Sequence, residues 1–414
     1  MGELVQADLL GERRADRGRR GLNGAQVLRV ALLKQIHGLS YRELEFHLQD
    51  SDTFRAFVGL GFGERPSYQA LQANVKAIRP QTWEAVHRVL IGAARAEGIE
   101  RGRVIRGDTT AVDANIHPPS DSALLWDGVR VATRLLKQMA RRCPSLRQRF
   151  GDHTRRARRR AYEIKFSGRR KDRPRLYRDL IRVAEAVAGQ ARDVLRSVDE
   201  GSPAPLEVLA SRLRDVLALL DRVLDQTRRR VLDGEAVPAA EKIVSIFEPH
   251  ADILVKGQRD VHYGHKVCLT GGRSSLILDY VVEAGNPTDT TLLRRTLERH
   301  IDLFGEAPRQ ACFDGGFASQ ANLESAKALG VEDIAFHRTA GLEISAMVRS
   351  AWVFRRLRNW RSGIEAVIST LKRAFRMNRC TWRGLASFQA YVGACVTSFN
   401  LIVLARHRLV REFA

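Results

Sequence analysis

The chain has 414 residues, of which 44% are hydrophobic, a share typical of soluble globular proteins, so a disordered or low-complexity chain is excluded. Lys and Arg number 69 against 47 Asp and Glu, which gives a net charge of +22. A surplus of this size predicts a polyanionic partner, most often nucleic acid. A basic protein that is simply soluble can have the same net charge. The distribution of the charge along the chain must therefore distinguish it from a protein that binds a polyanion.

Two short stretches hold most of the excess positive charge. Residues 141–180 contain sixteen Lys or Arg and four acids, and residues 354–383 contain nine Lys or Arg and one acid. A solvated face usually mixes both signs, so this concentration indicates a surface for phosphates. In the first stretch, the residues that we predict to bind nucleic acid are Arg155, Arg156, Arg158, Arg159 and Arg160.

Two further features concern the compartment. The five cysteines are far apart, odd in number and form no CxxC pair, which predicts a cytoplasmic protein without disulfides or structural zinc. Residues 384–405 carry no charge and are long enough to cross a bilayer. Because Gln389 and Asn400 interrupt this stretch and arginines flank both of its ends, we predict a buried terminal helix and no membrane partner.

Residues 25–98 have the pattern of a cluster of helices. Gly38 is placed to end the first helix, and Ser40 and Glu43 form a capping box that begins the next. Helix, short turn and helix is the outline of a helix-turn-helix, although ordinary helical hairpins have the same outline. Thr82 is predicted to begin the last helix of the region.

A strand pattern follows in two places, separated by a long helical stretch. Residues 104–112 are rich in β-branched side chains, and residues 261–270 and 275–282 form a hairpin pattern around a Gly-Gly turn. Between them, residues 123–240 are charged and helical in period, with a break near 201–205. We interpret this stretch as a helical insertion that carries the first basic run.

The C-terminal part alternates helices and strands. The pattern predicts a helix over 289–304, a strand over 310–314, a helix from Ser319 to Gly330, a strand over 331–336 and a helix over 362–376. A strand, helix, strand order requires a crossover and therefore parallel pairing. The chain is thus predicted to be an α/β protein with a mixed sheet.

Three acids stand out by their positions. Asp108 lies in the first strand, and Asp314 ends a strand just before a Gly-Gly turn. Open α/β sheets place their chemistry at strand ends, although a single Asp there is more often a turn or cap residue. Glu365 is the one acid of the second basic run.

On the predicted helix, Glu365 shares a border stripe with Arg361, Lys372 and Arg376, beside the apolar face. An ordinary ion pair between Arg361 and Glu365 would explain part of this pattern. A stripe of cations around a single acid is better explained by a binding role than by an ion pair alone. In that role the cations bind phosphates and the acid holds a metal ion.

Several segments of the sequence resemble bacterial insertion-sequence transposases of the DDE type. The three acidic blocks are IRGDTTAVDANIHPPSDSALLWDGVRV, QACFDGGFAS and RNWRSGIEAVISTLKRAFRMNRC, and the connecting blocks are VHYGHKV and GNPTD. Residues 28–98 resemble the N-terminal helical domain of that family, and the phrases ANIHPPSDS and LLWDGVRV resemble its ISNCY-like subgroup.

The resemblance implies an RNase H-like fold, in which flanking helices cover a mixed sheet. The implied domains are an all-α DNA-binding domain over 1–98, a catalytic core over 99–122 and 241–414, and the helical insertion over 123–240.

The resemblance also implies that Asp108, Asp314 and Glu365 form a metal-binding catalytic triad. Two Mg²⁺ ions about 4 Å apart, with Mn²⁺ as a possible substitute, would serve an in-line displacement at phosphorus. Water would attack the end of the element, and the released 3′-hydroxyl would attack target DNA.

The wider pattern of the family is tyrosine, two residues, arginine, three residues, glutamate, six residues and lysine. Arg361, Glu365 and Lys372 fit this spacing, and Arg358 stands at the tyrosine position. We predict that four cations of this region contact DNA phosphates: Arg358, Arg361, Lys372 and Arg376.

The implied partners are element ends, target DNA and further copies of the chain on DNA, at the nucleoid in the cytoplasm. Two alternatives stay open at this point: a metal-dependent nuclease without strand transfer, and a catalytically inactive DNA-binding derivative.

Overall fold

The structure is a computed structural model that describes residues 1–11, 21–166, 172–198, 203–256 and 260–413. Contacts between residues divide the chain into two units. The first unit combines Met1–Asn115 with Lys256–Ala414, and the second is Ile116–Val255.

Helices form the part of the first unit that precedes its first strand. They are α1 (Gly2–Leu10), α2 (Gly24–His37), α3 (Tyr41–Asp50), α4 (Asp52–Val58), α5 (Tyr68–Ala77) and α6 (Pro80–Ala96). The predicted capping box is confirmed, since Ser40 and Glu43 bond each other's backbone amides. Gly38 ends α2 with a φ of 64°. The prediction for Thr82 is wrong by two residues, because Pro80 suits the first helical position, where no amide hydrogen is needed.

The second unit is helical over most of its described residues. Its main helices are α7 (Asp121–Arg142), α8 (Thr154–Phe166), α9 (Arg173–Arg196) and α10 (Ala204–Thr227). Short helical turns cover Pro144–Arg149, Arg228–Leu232 and Ala239–Glu241. Leucines and valines of α7, α9 and α10 form a hydrophobic core of its own. The predicted break near 201–205 falls partly on 199–202, which lie outside the described residues.

The strands are β1 (Val104–Asp113), β2 (Asp252–Lys256), β3 (Asp260–Gly271), β4 (Ile277–Val282), β5 (Gln310–Phe313) and β6 (Asp333–Phe336). In the first unit the sheet order is β4-β3-β1-β5-β6. β1 pairs antiparallel with β3, and β3 pairs antiparallel with β4, as the predicted hairpin requires. β1, β5 and β6 are parallel neighbours, which confirms the predicted crossover. This mixed sheet, with helices flanking it, is RNase H-like, as predicted.

The remaining helices of the first unit are α11 (Leu293–Phe304), α12 (Gln320–Ala328), α13 (Ile344–Met347), α14 (Ala351–Arg361), α15 (Gly363–Arg373) and α16 (Leu385–Glu412). The helix predicted over 362–376 is therefore shorter. It ends at Arg373 because Arg376 takes a left-handed φ of 58° and the Met377 amide bonds the Leu371 carbonyl at 3.0 Å. Placing Arg376 on the helical stripe was wrong.

Helix α16 contains the long uncharged stretch noted in the sequence. By length and composition it passes as a membrane-spanning candidate, but 78% of its apolar stretch is buried in the protein. Its Asn400 amide bonds both backbone groups of Ile277 in β4, at 2.9 and 2.7 Å. The predicted buried terminal helix is therefore confirmed: α16 is a core helix that packs on the sheet.

Candidate active site

Two of the three acids lie side by side on neighbouring strands. The parallel register of β1 and β5 pairs Gly107 with Phe313, so the next residues along these strands are Asp108 and Asp314. Side-chain exposure is 18% for Asp108 and 43% for Asp314. The Thr109 amide donates a hydrogen bond of 2.7 Å to Asp108 Oδ1, which fixes one face of that carboxylate.

The junction of α14 and α15 is held on β1 by a buried arginine. Arg106 donates a hydrogen bond of 2.9 Å to the Trp360 carbonyl, and its guanidinium lies 4.7 Å from the Trp360 ring centroid. At Gly363, a Cβ would come within 2.1 Å of Arg106 Nη1, so only glycine allows this approach. The contact brings the last residue of α14 and the first turn of α15 to the strand that carries Asp108.

We expect Gly363→Ala to lower the free energy of unfolding by about 1–3 kcal/mol, because overpacking forces the buried Arg106 or the backbone to move. Thermal or urea unfolding measures the change. Gly92→Ala is the matched control, because a Cβ at Gly92 in α6 meets nothing within 4 Å. The control should be neutral or stabilising by up to about 1 kcal/mol. Equal effects of the two substitutions would contradict the role given to Gly363.

One guanidinium contacts all three acids. Arg361 Nη1 lies 3.4 Å from Asp108 Oδ2 and 3.6 Å from Asp314 Oδ1, and Arg361 Nη2 lies 2.7 Å from Glu365 Oε1. The contacting oxygens of the two aspartates are therefore no farther apart than the sum of the first two distances. The Arg361 side chain is only 6% exposed, whereas that of Glu365 is 60% exposed. The expected ion pair between Arg361 and Glu365 is present, but it is only one of the three contacts that the Arg361 guanidinium makes with these acids.

The donor set suits a hard divalent ion, since Mg²⁺ and Mn²⁺ prefer carboxylate oxygens. Within the part of the chain that the structure describes, no three His, Cys, Asp or Glu side chains lie close enough to share one ion. The three acids instead share the positive charge of Arg361. The chemistry of the residues fits a divalent cation, and their spacing is that of a cluster bridged by a guanidinium.

A fourth carboxylate that the sequence did not single out lies beside this cluster. Asp289 pairs with Lys266 Nζ at 2.9 Å and accepts a hydrogen bond of 3.3 Å from the Thr109 hydroxyl. A Cβ at Gly316 would lie 2.9 Å from Asp289 Oδ2. Asp289 thus contacts the residue after Asp108 and approaches the turn after Asp314. The GNPTD and VHYGHKV blocks contain this pair, but nothing in their spacing indicates that the two side chains meet.

The cations predicted to bind DNA differ in accessibility. Arg358 and Arg376 are exposed and Lys372 is half-buried, so all three have polar atoms within reach of a ligand. Arg361 is buried among the acids, and its Nε has no hydrogen-bond partner.

The five arginines of the second unit that are predicted to bind DNA fall into two groups. Arg156 and Arg160 both pair with Asp179, and Arg160 also pairs with Glu163 at 2.6 Å. Arg159 lies 3.8 Å from Glu163. By contrast, two arginines line a hollow together with other basic residues and an indole ring: Arg155 and Arg158, beside Trp126, Arg130, Arg134 and Lys137. Part of the basic run is therefore neutralised within the protein.

Comparison with known families agrees with this geometry. Residues 226–401 match the family described as Transposase DDE domain, and residues 2–76 match the family described as Transposase domain (DUF772). No curated protein and no solved structure matches the chain. The first match includes Asp314 and Glu365, and the second covers α1 to α4 and most of α5.

An RNase H-like sheet that carries acids side by side on neighbouring parallel strands is typical of enzymes that cut or join nucleic acid strands. The chain belongs to the insertion-sequence transposases of the DDE class. Such proteins bind DNA and act on it as enzymes in transposition. They generally depend on divalent metal ions, and they are generally found in the cytoplasm. The predicted family is thus confirmed, whereas the ISNCY-like subgroup stays a prediction.

Proposed function

We propose that the protein cleaves DNA at the ends of its insertion element and joins the released 3′-hydroxyl to target DNA. The observation that carries this proposal is the meeting of Asp108, Asp314 and Glu365 at one guanidinium, where Asp108 in the middle of β1 lies beside Asp314 at the end of β5. Isolated turn or cap aspartates would have no reason to share one buried cation with an acid from a distant helix.

The divalent ions would be two Mg²⁺ ions, held by Asp108, Asp314 and Glu365. Bound ions of this kind activate the attacking oxygen and stabilise the leaving oxygen at phosphorus. Asp108 is the rigid member, because its strand and the Thr109 amide fix it. Asp314 and Glu365 are more exposed, so a ligand can reach their carboxylates from solvent.

Positioning of the DNA falls to cations outside the acid cluster. Arg358, Lys372 and Arg376 would contact phosphates near the cleaved bond, because phosphate contacts fix the register of a protein on the duplex. The basic arginines of the insertion would extend the contact along the DNA. We further propose that the protein assembles as a homo-oligomer on DNA at the nucleoid.

The test is a transposition assay with purified protein, Mg²⁺, a target plasmid and a donor plasmid that carries the inverted repeats flanking the reading frame. We expect sequenced junctions between element ends and target DNA, and none with Asp108→Asn. Cut ends without junctions would overturn the joining step and indicate a nuclease. Binding without either product would indicate an inactive derivative.

The basic run of the insertion gives a second test. Each phosphate contact lowers the slope of log K against log salt by roughly 0.9 on duplex DNA. We expect Arg155→Gln with Arg158→Gln to flatten this slope more than Arg156→Gln with Arg160→Gln, since acids already neutralise the second pair. Fluorescence anisotropy at several salt concentrations measures the slopes. Unchanged slopes for the first pair would mean that this surface does not contact DNA.

A further inference from the structure

A cavity of about 750 Å³ lies in the first unit, where α2, the turn before α3 and the end of α15 meet. Its lining is strongly basic, with a single acid, Glu43, at the start of α3. The cations that line it are Lys34, Lys372, Arg373, Arg376 and Arg379. Side chains from the N-terminal helices and from the C-terminal part of the chain therefore converge on one concave surface.

The floor of this cavity is built by specific hydrogen bonds. Gln35 in α2 donates to the Phe375 carbonyl at 2.6 Å, and the Tyr391 hydroxyl of α16 donates to the Arg376 carbonyl at 2.8 Å. These contacts hold the left-handed backbone of Arg376 from two sides. A Cβ at Gly38 would lie 2.4 Å from Arg376 Nε, so the guanidinium lies directly against this glycine. The positive φ of Gly38 calls for glycine.

The electrostatics of the cavity favour an anion. Burial lowers the pKa of Lys34, and the nearby Arg376 charge acts in the same direction. Glu43 offsets only part of this positive charge, because its single carboxylate, which also accepts the Ser40 amide at 2.7 Å as part of the helix cap, faces five cations. Like charges held this close repel one another, and a bound phosphate relieves that repulsion.

We infer that this cavity, the phosphate pocket, binds one backbone phosphate of the DNA strand that the protein cleaves. The inference rests on the proposed function, because it takes the ligand to be DNA. It also gives a new role to the turn between α2 and α3. In a helix-turn-helix this region would lead into base readout, whereas here the turn would hold the DNA backbone and contribute no sequence specificity.

The spacing of residues along α15 indicates how near this phosphate lies to the scissile phosphate. Lys372 follows Glu365 by seven residues in α15, which corresponds to ~10 Å along the helix axis. Successive nucleotides of a duplex strand advance by about 3.4 Å. These two spacings place the phosphate in the pocket on the same short stretch of DNA as the scissile phosphate, within a few nucleotides of it.

The first measurement uses a duplex that carries the inverted repeat flanking the reading frame. The pocket variant combines Lys34→Gln with Arg376→Asn, since Asn tolerates positive φ. The control combines Arg294→Gln with Arg309→Gln, which removes two charges from exposed side chains of the same unit. Between about 50 and 200 mM salt, the pocket variant should flatten the binding slope by roughly 0.9 and the control should not. Equal slopes for the two variants overturn the inference.

The second measurement locates the contact. Single phosphates of the cleaved strand are replaced by neutral methylphosphonates, one position at a time. We expect one replacement, within a few nucleotides of the cleavage site, to weaken binding by the wild type but not by the pocket variant. Equal sensitivity of both proteins at every position overturns the inference. If the double variant melts well below the wild type, Lys34→Gln alone repeats both measurements.

Two outcomes separate this inference from the proposed function. Wild-type protein that fails to bind or cleave the element end would overturn the proposed function. Normal cleavage by the wild type, with a pocket variant that behaves as the control does, would overturn the pocket and the phosphate contact of Arg376 but not the proposed cleavage and joining. If inorganic phosphate raises the melting temperature of the wild type but not of the pocket variant, while the DNA slopes agree, the pocket binds a free anion and the DNA assignment falls.

Discussion

Glu365→Gln is expected to abolish strand cleavage and to leave binding to element-end DNA near the wild-type level. Glutamine keeps the shape of the side chain and removes the charge that would hold a divalent ion. Loss of a group that merely orients a metal ligand typically costs 10–100-fold, so we expect loss of a ligand to lower the cleavage rate by more than about 100-fold. A gel assay of cleaved end DNA measures the rate, and anisotropy measures binding.

Lys372→Gln is the matched comparison on the same helix. It should weaken end binding and slow cleavage, and added Mg²⁺ should not restore the rate. Mn²⁺ should partly restore Glu365→Gln, because Mn²⁺ binds such oxygen sites more tightly. Near-normal turnover in Glu365→Gln, with an unchanged melting temperature, would reduce its contact with Arg361 to a helix ion pair worth about 0.5 kcal/mol. That result would remove Glu365 from the chemistry.

Arg361→Met is expected to make the melting temperature strongly dependent on Mg²⁺. Without the guanidinium, Asp108, Asp314 and Glu365 repel one another, and we expect a loss of about 1–3 kcal/mol in metal-free buffer. An ion that binds only the folded state at 100 times its Kd restores about 2.7 kcal/mol. In the wild type the ion has to compete with Arg361, so its stabilising effect should be smaller.

Arg358→Met is the control for this prediction, because Arg358 is an exposed cation of the same helix and does not contact the acids. It removes the same charge and should leave the response to Mg²⁺ unchanged. Calorimetric titration with Mg²⁺ should also show tighter binding to Arg361→Met than to wild type. Identical Mg²⁺ shifts in wild type and Arg361→Met would show that the guanidinium and the ion do not compete.

The elements that the sequence predicted well are those encoded by local chemistry. The capping box of Ser40 and Glu43, the hairpin of β3 and β4 and the parallel order of β5 and β6 each follow from short-range patterns. The end of α15 was missed for a physical reason. Arginine rarely adopts positive φ, so nothing in the sequence marks Arg376 as the residue that ends the helix.

The contacts of the candidate site depend on tertiary geometry. Spacing along a helix predicts the contact of Arg361 with Glu365, which lies four residues on. Its contacts with Asp108 and Asp314 depend on how closely the helix junction approaches β1, and Arg106 with Gly363 sets that approach. No periodicity encodes a glycine that is needed because a distant guanidinium lies against it.

The pairing of β1 with β3 has a consequence for how the chain folds. These strands are adjacent in the sheet, although the whole second unit separates them in sequence. Closing so long a loop costs little extra stability, since each doubling of loop length adds only about 0.6 kcal/mol. The effect on rate is larger, because folding slows as contacts join residues far apart in sequence. The second unit emerges from the ribosome before β3 and has its own hydrophobic core. We therefore expect it to collapse first and to bring β1 and β3 closer together before they pair.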